Sequence, residues 1–82
     1  MKKALVILFD KAEELEAIAP VDILRRARVD VTTAALGDSL EIIGRSGIAI
    51  DADEPFAEAC KKNFDAVILP GGPGVYDILD MH

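Results

Sequence analysis

Two aliphatic runs set the strongest limit on how this chain can fold: Ala4-Leu5-Val6-Ile7-Leu8-Phe9 near the start and Ala66-Val67-Ile68-Leu69 inside the segment 64–69. A strand with one wet face alternates apolar and polar residues, whereas a strand covered on both faces has no need to. Helix-like segments lie between the strand-like ones at short intervals. This predicts parallel α/β layering, because parallel neighbours need a crossover and a helix is the usual one. The first run also imitates a signal peptide. It stops after six residues at Asp10, and no small-residue cleavage site follows. It reads as a buried strand, and nothing in the chain approaches a membrane span.

A helix is predicted from about residue 12 to about 28. Glu13, Glu14 and Glu16 crowd its start, while Arg25, Arg26 and Arg28 crowd its end, so both clusters complement the helix dipole. Ala17, Val21, Leu24 and Ala27 share one face, and Leu15 and Ile18 are expected to widen it. Pro20 cannot donate to the carbonyl of Glu16, which distorts the helix beginning. Val29 to Ala35 then alternate as a second, less buried strand. Leu40–Ile43 and Ile48–Ile50, separated by Gly44-Arg45-Ser46-Gly47, predict a short antiparallel hairpin appended to the sheet. Asp53-Glu54-Pro55 should open a second helix running to about Lys62, with Asp53 as its cap. A third parallel strand over 64–69 ends at Pro70-Gly71-Gly72-Pro73-Gly74, and another helix should start at Val75.

At 82 residues there is room for one small domain. Hydrophobic residues make up 51% of the chain and aromatics 5%, so the core is aliphatic and the chain is too apolar to be disordered. A net charge of −6 repels phosphate backbones and anionic lipid, which leaves small soluble ligands or other proteins as partners, with neither nucleic acid nor a membrane surface expected. One cysteine cannot close an internal disulfide, and with one histidine it cannot build a zinc site. A reducing cytoplasm is the expected compartment.

In an open parallel sheet, ligands bind beyond the carboxyl ends of the strands. Two loops fall there, residues 10–16 and residues 70–74, and right-handed crossovers should set them side by side. The second carries three glycines and two prolines in five residues, so its amides can face a ligand, stabilising an oxyanion or holding a phosphate, or it can simply turn the chain. Among the acids, Glu16 stands on the side of the helix leading to Pro20. There, a partly buried carboxylate could share or donate a proton; otherwise it serves the dipole like Glu13 and Glu14. Cys60 is expected to be a small structural hydrophobe, Asp22 a helix-surface or interface acid, Arg45 a solvated turn residue and His82 a frayed terminus.

Taken together, Lys3-Ala4-Leu5-Val6-Ile7-Leu8, Ala12-Glu13-Glu14-Leu15-Glu16, Pro20-Val21-Asp22-Ile23-Leu24-Arg25-Arg26-Ala27 and Asp65-Ala66-Val67-Ile68-Leu69-Pro70-Gly71-Gly72 closely resemble the amino-terminal part of the DJ-1/ThiJ/PfpI superfamily. The resemblance covers essentially the whole chain. Its specificity lies in Glu-Glu-x-Glu followed about fifty residues on by Leu-Pro-Gly-Gly. It implies a flavodoxin-like, class I glutamine amidotransferase-like three-layer sandwich, here as the amino-terminal part of a single domain over residues 1–82. It also implies a site pairing a cysteine on a strand-to-helix elbow with a carboxylate, at Glu16 by motif position, and with oxyanion donors around Gly71 and Gly72. No cofactor or metal is implied. Family members have been assigned glyoxalase, deglycase, chaperone, peptidase and redox-sensing roles, and many pair as homodimers.

Three departures stand out. The family's nucleophilic cysteine lies beyond the last residue of this chain. Arg28 stands where many relatives turn with glycine, so the helix must end on another cap. The hairpin reads Gly44-Arg45-Ser46-Gly47 where several relatives have Ser-Arg-Gly or Ser-Arg-Asp, which can shift a family arginine role away from Arg45. The strand over 64–69 should expose an unpaired edge flanked by Val67, Ile68 and Leu69, and burial barely offsets the ordering cost for a chain this short. The expectation is therefore that the chain works with a carboxyl-terminal part or complementing chain carrying the nucleophile. The leading reading is part of a cysteine-dependent enzyme acting on small reactive carbonyl compounds. The alternatives are a chaperone-like or dimerising module, and the glutaminase half of a class I amidotransferase, whose oxyanion strand ends in a run similar to Gly71-Gly72-Pro73-Gly74 but which lacks the Glu-Glu-x-Glu entry.

Overall fold

The computed structural model describes residues 1–72. The element order is β1 (Lys3–Leu8), α1 (Glu14–Arg26), β2 (Asp30–Ala35), β3 (Glu41–Ile43), β4 (Ala49–Asp51), β5 (Glu54–Pro55), α2 (Phe56–Ala59) and β6 (Ala66–Ile68). The helix expected from Val75, and His82, lie outside the described residues.

Four strands form a parallel sheet in the order β5-β2-β1-β6. The unalternating run in β1 is explained by its central place. Ala4, Val6 and Leu8 point to one side and pack with Ala17 and Val21 of α1, with Val31 and Ala35 of β2, and with Ile42 of β3. Leu5 points to the other side and packs with Ala34 and Ala59, with Ile7, Phe56 and Phe64 partly covered beside them. β6, by contrast, is an edge strand. Val67 and Leu69 are exposed there, as the sequence reading of that edge expected.

β3 and β4 form the expected hairpin, paired Glu41↔Asp51, Ile42↔Ile50 and Ile43↔Ala49. It is a separate two-stranded sheet, and it adds to the core through the fully buried Ile42, whose neighbours Glu41 and Ile43 face out.

Several expectations are corrected. α1 is shorter than 12–28, and its buried stripe is narrower. Ala17 and Val21 are buried, whereas Ala27, Leu15 and Ile18 are exposed, Leu15 at 80%. Leu15 precedes the buried Ala17 by two positions, which on a helix points it away from the sheet. Pro20 lies inside α1, as expected.

The second helix is four residues long and does not reach Lys62, and Asp53 does not cap it, because Pro55 holds the cap position without a side-chain bond. Asp53 instead clasps β2. Its carboxylate accepts from the Thr33 amide at 2.9 Å and from Arg25 at 3.1 Å, and its own amide donates to Thr33 Oγ1 at 2.9 Å. This clasp seats Glu54-Pro55 as the short edge strand β5, an element that sequence patterning did not reveal. A proline is tolerated there because an edge strand need not donate on its outer side.

The carboxyl end of α1 resolves the departure at position 28. Arg28 takes the left-handed conformation at φ 66°, normally left to glycine. The Arg28 amide donates to Arg25 O and the Val29 amide to Leu24 O, the two bonds of a Schellman ending, and Leu24 and Val29 both pack on the core. The glycine geometry is kept with arginine in it.

Candidate active site

β1 and β6 are parallel neighbours, paired Ala4↔Ala66 through Val6↔Ile68, so the loops beyond their carboxyl ends emerge side by side. One leads into α1 and the other carries the diglycine. Glu13 donates its amide to Gly71 O at 2.8 Å, and Gly71 donates its amide to Glu16 Oε1 at 3.2 Å. The acid and the glycine loop singled out in the sequence therefore meet.

The two glycines serve different purposes. A Cβ on Gly71 would stand 2.7 Å from Glu16 Oε1, so the missing side chain is what lets the carboxylate reach the backbone. Gly72 has φ +133°, and a Cβ there would lie 2.5 Å from Lys11 O and 2.9 Å from Glu13 N, which are backbone atoms with little freedom to yield. Lys11 is itself in the left-handed region at φ 69°, so the loop is held in an uncommon conformation where it meets the diglycine.

The acids are distributed otherwise than expected. Glu16 is exposed rather than partly buried, and Glu13 and Glu14, expected on an open helix start, are half-buried and engaged. Glu13 is ion-paired with Arg45, which is therefore not simply a solvated turn residue. Glu14 Oε2 accepts from the amides of Ser46 at 2.8 Å and Ile48 at 3.2 Å. Desolvation pushes the Glu14 carboxyl up, but its own amide, those of Ile48 and Ser46, and the Arg45 guanidinium outweigh it and hold the group below the ordinary carboxylate value. Cys60, read as a small structural hydrophobe, is exposed. It borders a cavity of about 300 Å³ on the α2 side of the sheet, with Leu5, Ile7 and Phe64.

Glu14 and Gly44 were missed as members of this assembly. Gly44 is absent from the positive-φ glycines, and a Cβ on it would run into the Glu14 carboxyl group, so it is glycine for space and not for the turn. No pattern along the chain signals such a contact across thirty residues. Among the described residues, no three of His, Cys, Asp and Glu converge to hold a metal, and no helix is long and apolar enough to cross a membrane.

A parallel sheet covered by helices, with an acid and a glycine loop at the carboxyl ends of adjacent strands, defines a flavodoxin-like α/β protein with its site at the usual rim. The DJ-1/PfpI family model matches residues 2–82, and the chain belongs to that family. It is 44% identical over 70 residues to protein DJ-1 homolog B of Arabidopsis thaliana, covering 85% of this chain and 16% of that protein. It is 42% identical over 73 residues to protein dj-1beta of Drosophila melanogaster, covering 89% of this chain and 39% of that protein. The crystal structure of Drosophila melanogaster DJ-1beta superposes with a TM-score of 0.91 at 38% identity, covering 99% of this chain and 44% of that one. Oxidized Toxoplasma gondii DJ-1 gives 0.87 at 30% identity, covering 89% and 40%. The chain thus spans well under half the length of each of these relatives, matching their amino-terminal part.

Proposed function

We propose that this chain supplies the carboxylate and oxyanion amides of a cysteine-dependent enzyme acting on small reactive carbonyl compounds, with the thiol provided by polypeptide outside these 82 residues. The observation that carries the reading is the hydrogen bond from the Gly71 amide to Glu16 Oε1. One oxygen of the carboxylate is fixed by the backbone. The other is left to pass a proton between the attacking thiol and the carbonyl oxygen of the substrate.

As sulfur adds to the carbonyl carbon, the π pair moves onto oxygen, and a nearby amide stabilises that charge. Gly71 already donates to Glu16, whereas the Gly72 amide donates to no acceptor among the described residues, so Gly72 is the better oxyanion donor of the pair. With the thiol-bearing part present, Glu16→Gln should lower turnover by about 100-fold or more, while Cys60→Ser leaves it unchanged. Equal losses in the two variants would refute the assignment, and ammonia release from glutamine would favour the amidotransferase reading instead.

A second reading rests on a separate observation. Leu15, Ile18 and Ile48 are exposed along one groove between α1 and the hairpin, with Ile50 beneath. A second copy of the chain docking there makes a homodimer, with or without chemistry at Glu16. Leu15→Asp should then shift the sedimentation equilibrium from dimer to monomer. A wild-type protein that stays monomeric at high concentration excludes this reading.

A further inference from the structure

The hairpin is bonded to the loop between β1 and α1 and to the first residue of α1, and these contacts are dense. Lys11 donates its amide to Ile43 O at 2.8 Å, Ile43 donates to Asp10 Oδ1 at 3.0 Å, and Arg45 donates its amide to Ala12 O at 2.9 Å. The Arg45 guanidinium pairs with Glu13, and Glu14 receives the Ser46 and Ile48 amides on one oxygen. On its far side the same loop holds the diglycine, through Glu13 N to Gly71 O and through the packing of Gly72 on Lys11 O. Hydrogen bonds therefore run unbroken from the hairpin turn, through residues 10–14, to Gly71.

We propose that Glu14 is a positioning residue: by fastening the hairpin turn to the start of α1 it fixes the loop that holds Gly71 against Glu16. The Glu14 carboxylate bonds to the Ser46 and Ile48 amides, whereas Gly71 bonds to Glu16 and Glu13, so Glu14 acts on the diglycine through other residues. The fit with Gly44 supports the assignment, because the absent Cβ there is the space the Glu14 carboxyl group fills. A loop with Lys11 in the left-handed region needs its surroundings to hold it, and the Glu14 tether is one of the groups that does so. The functional weight of this inference rests on the carboxylate–diglycine site proposed above. The geometric claim stands or falls separately.

The test is a set of amide NMR spectra of the intact protein, wild type against Glu14→Gln, Glu14→Ala and Gly44→Ala. Loss of the charged acceptor should move the Ser46 and Ile48 amide protons upfield in both Glu14 variants. The deciding signals are the amides of Glu13 and Gly71, which donate to Gly71 O and to Glu16 Oε1 and not to the Glu14 carboxyl group. Both should shift in Glu14→Ala and Gly44→Ala, and by less in Glu14→Gln, which keeps an oxygen acceptor of the same shape. If Ser46 and Ile48 move while Glu13 and Gly71 stay at their wild-type positions in Glu14→Gln and in whichever other variants fold, Glu14 is a local tie only and the proposal is overturned. Because the readout is geometry, a site without turnover leaves it intact, and a failed tether leaves the role of Glu16 untouched.

Discussion

Glu16 and Gly71, separated by 55 residues in the chain, are joined by a single hydrogen bond of 3.2 Å from the glycine amide to the carboxylate. That bond exists because β1 and β6 pair in parallel and deliver both residues to one rim. It also sets the sharpest contrast available for mutagenesis, since the two adjacent glycines are confined by different kinds of atom.

At Gly71 the obstructing atom is the end of a flexible side chain, so Gly71→Ala should displace the carboxylate rather than the backbone. Stability should change by less than about 0.5 kcal/mol, as for most surface substitutions. Turnover with the thiol-bearing part present should nonetheless fall by about tenfold or more, because a misplacement of about 1 Å is costly in a catalytic constellation. Urea unfolding and steady-state kinetics on the same preparation separate the two effects. Unchanged turnover would mean that the Glu16–Gly71 bond is structural only.

Gly72→Ala should behave in the opposite way. Its Cβ meets the backbone of Lys11 and Glu13, and its φ of +133° is unfavourable for any L side chain. A loss of about 1–3 kcal/mol is expected from the strained conformation alone. A urea midpoint equal to wild type would show that the loop rearranges freely.

Replacing Arg28 with glycine should stabilise the protein. A residue with a Cβ at φ 66° costs about 1–2 kcal/mol, which glycine avoids at the expense of about 0.5–1 kcal/mol of extra freedom in the unfolded chain. The net gain should be about 0.5–1 kcal/mol, read as a higher urea midpoint at unchanged slope. A lower midpoint would show that the arginine side chain contributes more than its backbone costs.

Acidification should weaken the fold in part through Glu14. Its carboxyl is held below the ordinary value of 4.5 in the folded state, so the unfolded state binds the proton more readily, and the stability it contributes is complete above that value. The contribution is lost as pH falls from about 4.5 through the lower folded value. In Glu14→Gln, the stability–pH curve should be flatter across that window and parallel to wild type at neutral pH. Identical slopes below pH 4.5 in the two proteins would show that the Ser46 and Ile48 amides do not stabilise the charged form.

Much of the assembly was legible because its signals are local. The unalternating run in β1, the charge polarity of α1 and the glycine-bounded hairpin each reflect a physical preference acting within a few residues. Reading failed where a local signal was outweighed by a distant partner. Asp53 is a sound helix cap by type and position, yet Thr33 and Arg25 offer its carboxylate a better set of bonds, and the expected helix start becomes β5. Leu15 and Ile18 are apolar and near the buried stripe, but only the placement of α1 on the sheet decides that they face outward.

From its sequence alone this protein fixed the parallel α/β class, the identity of the family and the two loops that form the rim, since these follow from hydrophobic patterning and motif spacing. Motif position singled out Glu16, but only the folded arrangement decided what Glu13 and Glu14 do. Glu13, Glu14 and Glu16 are the same residue type, and they become an ion-pair partner, a hairpin tether and the carboxylate on the diglycine because two other segments, the hairpin turn and the diglycine loop, arrive beside them. Charge and helix position are properties of the chain, whereas a hydrogen-bond partner is a property of what the fold brings within reach.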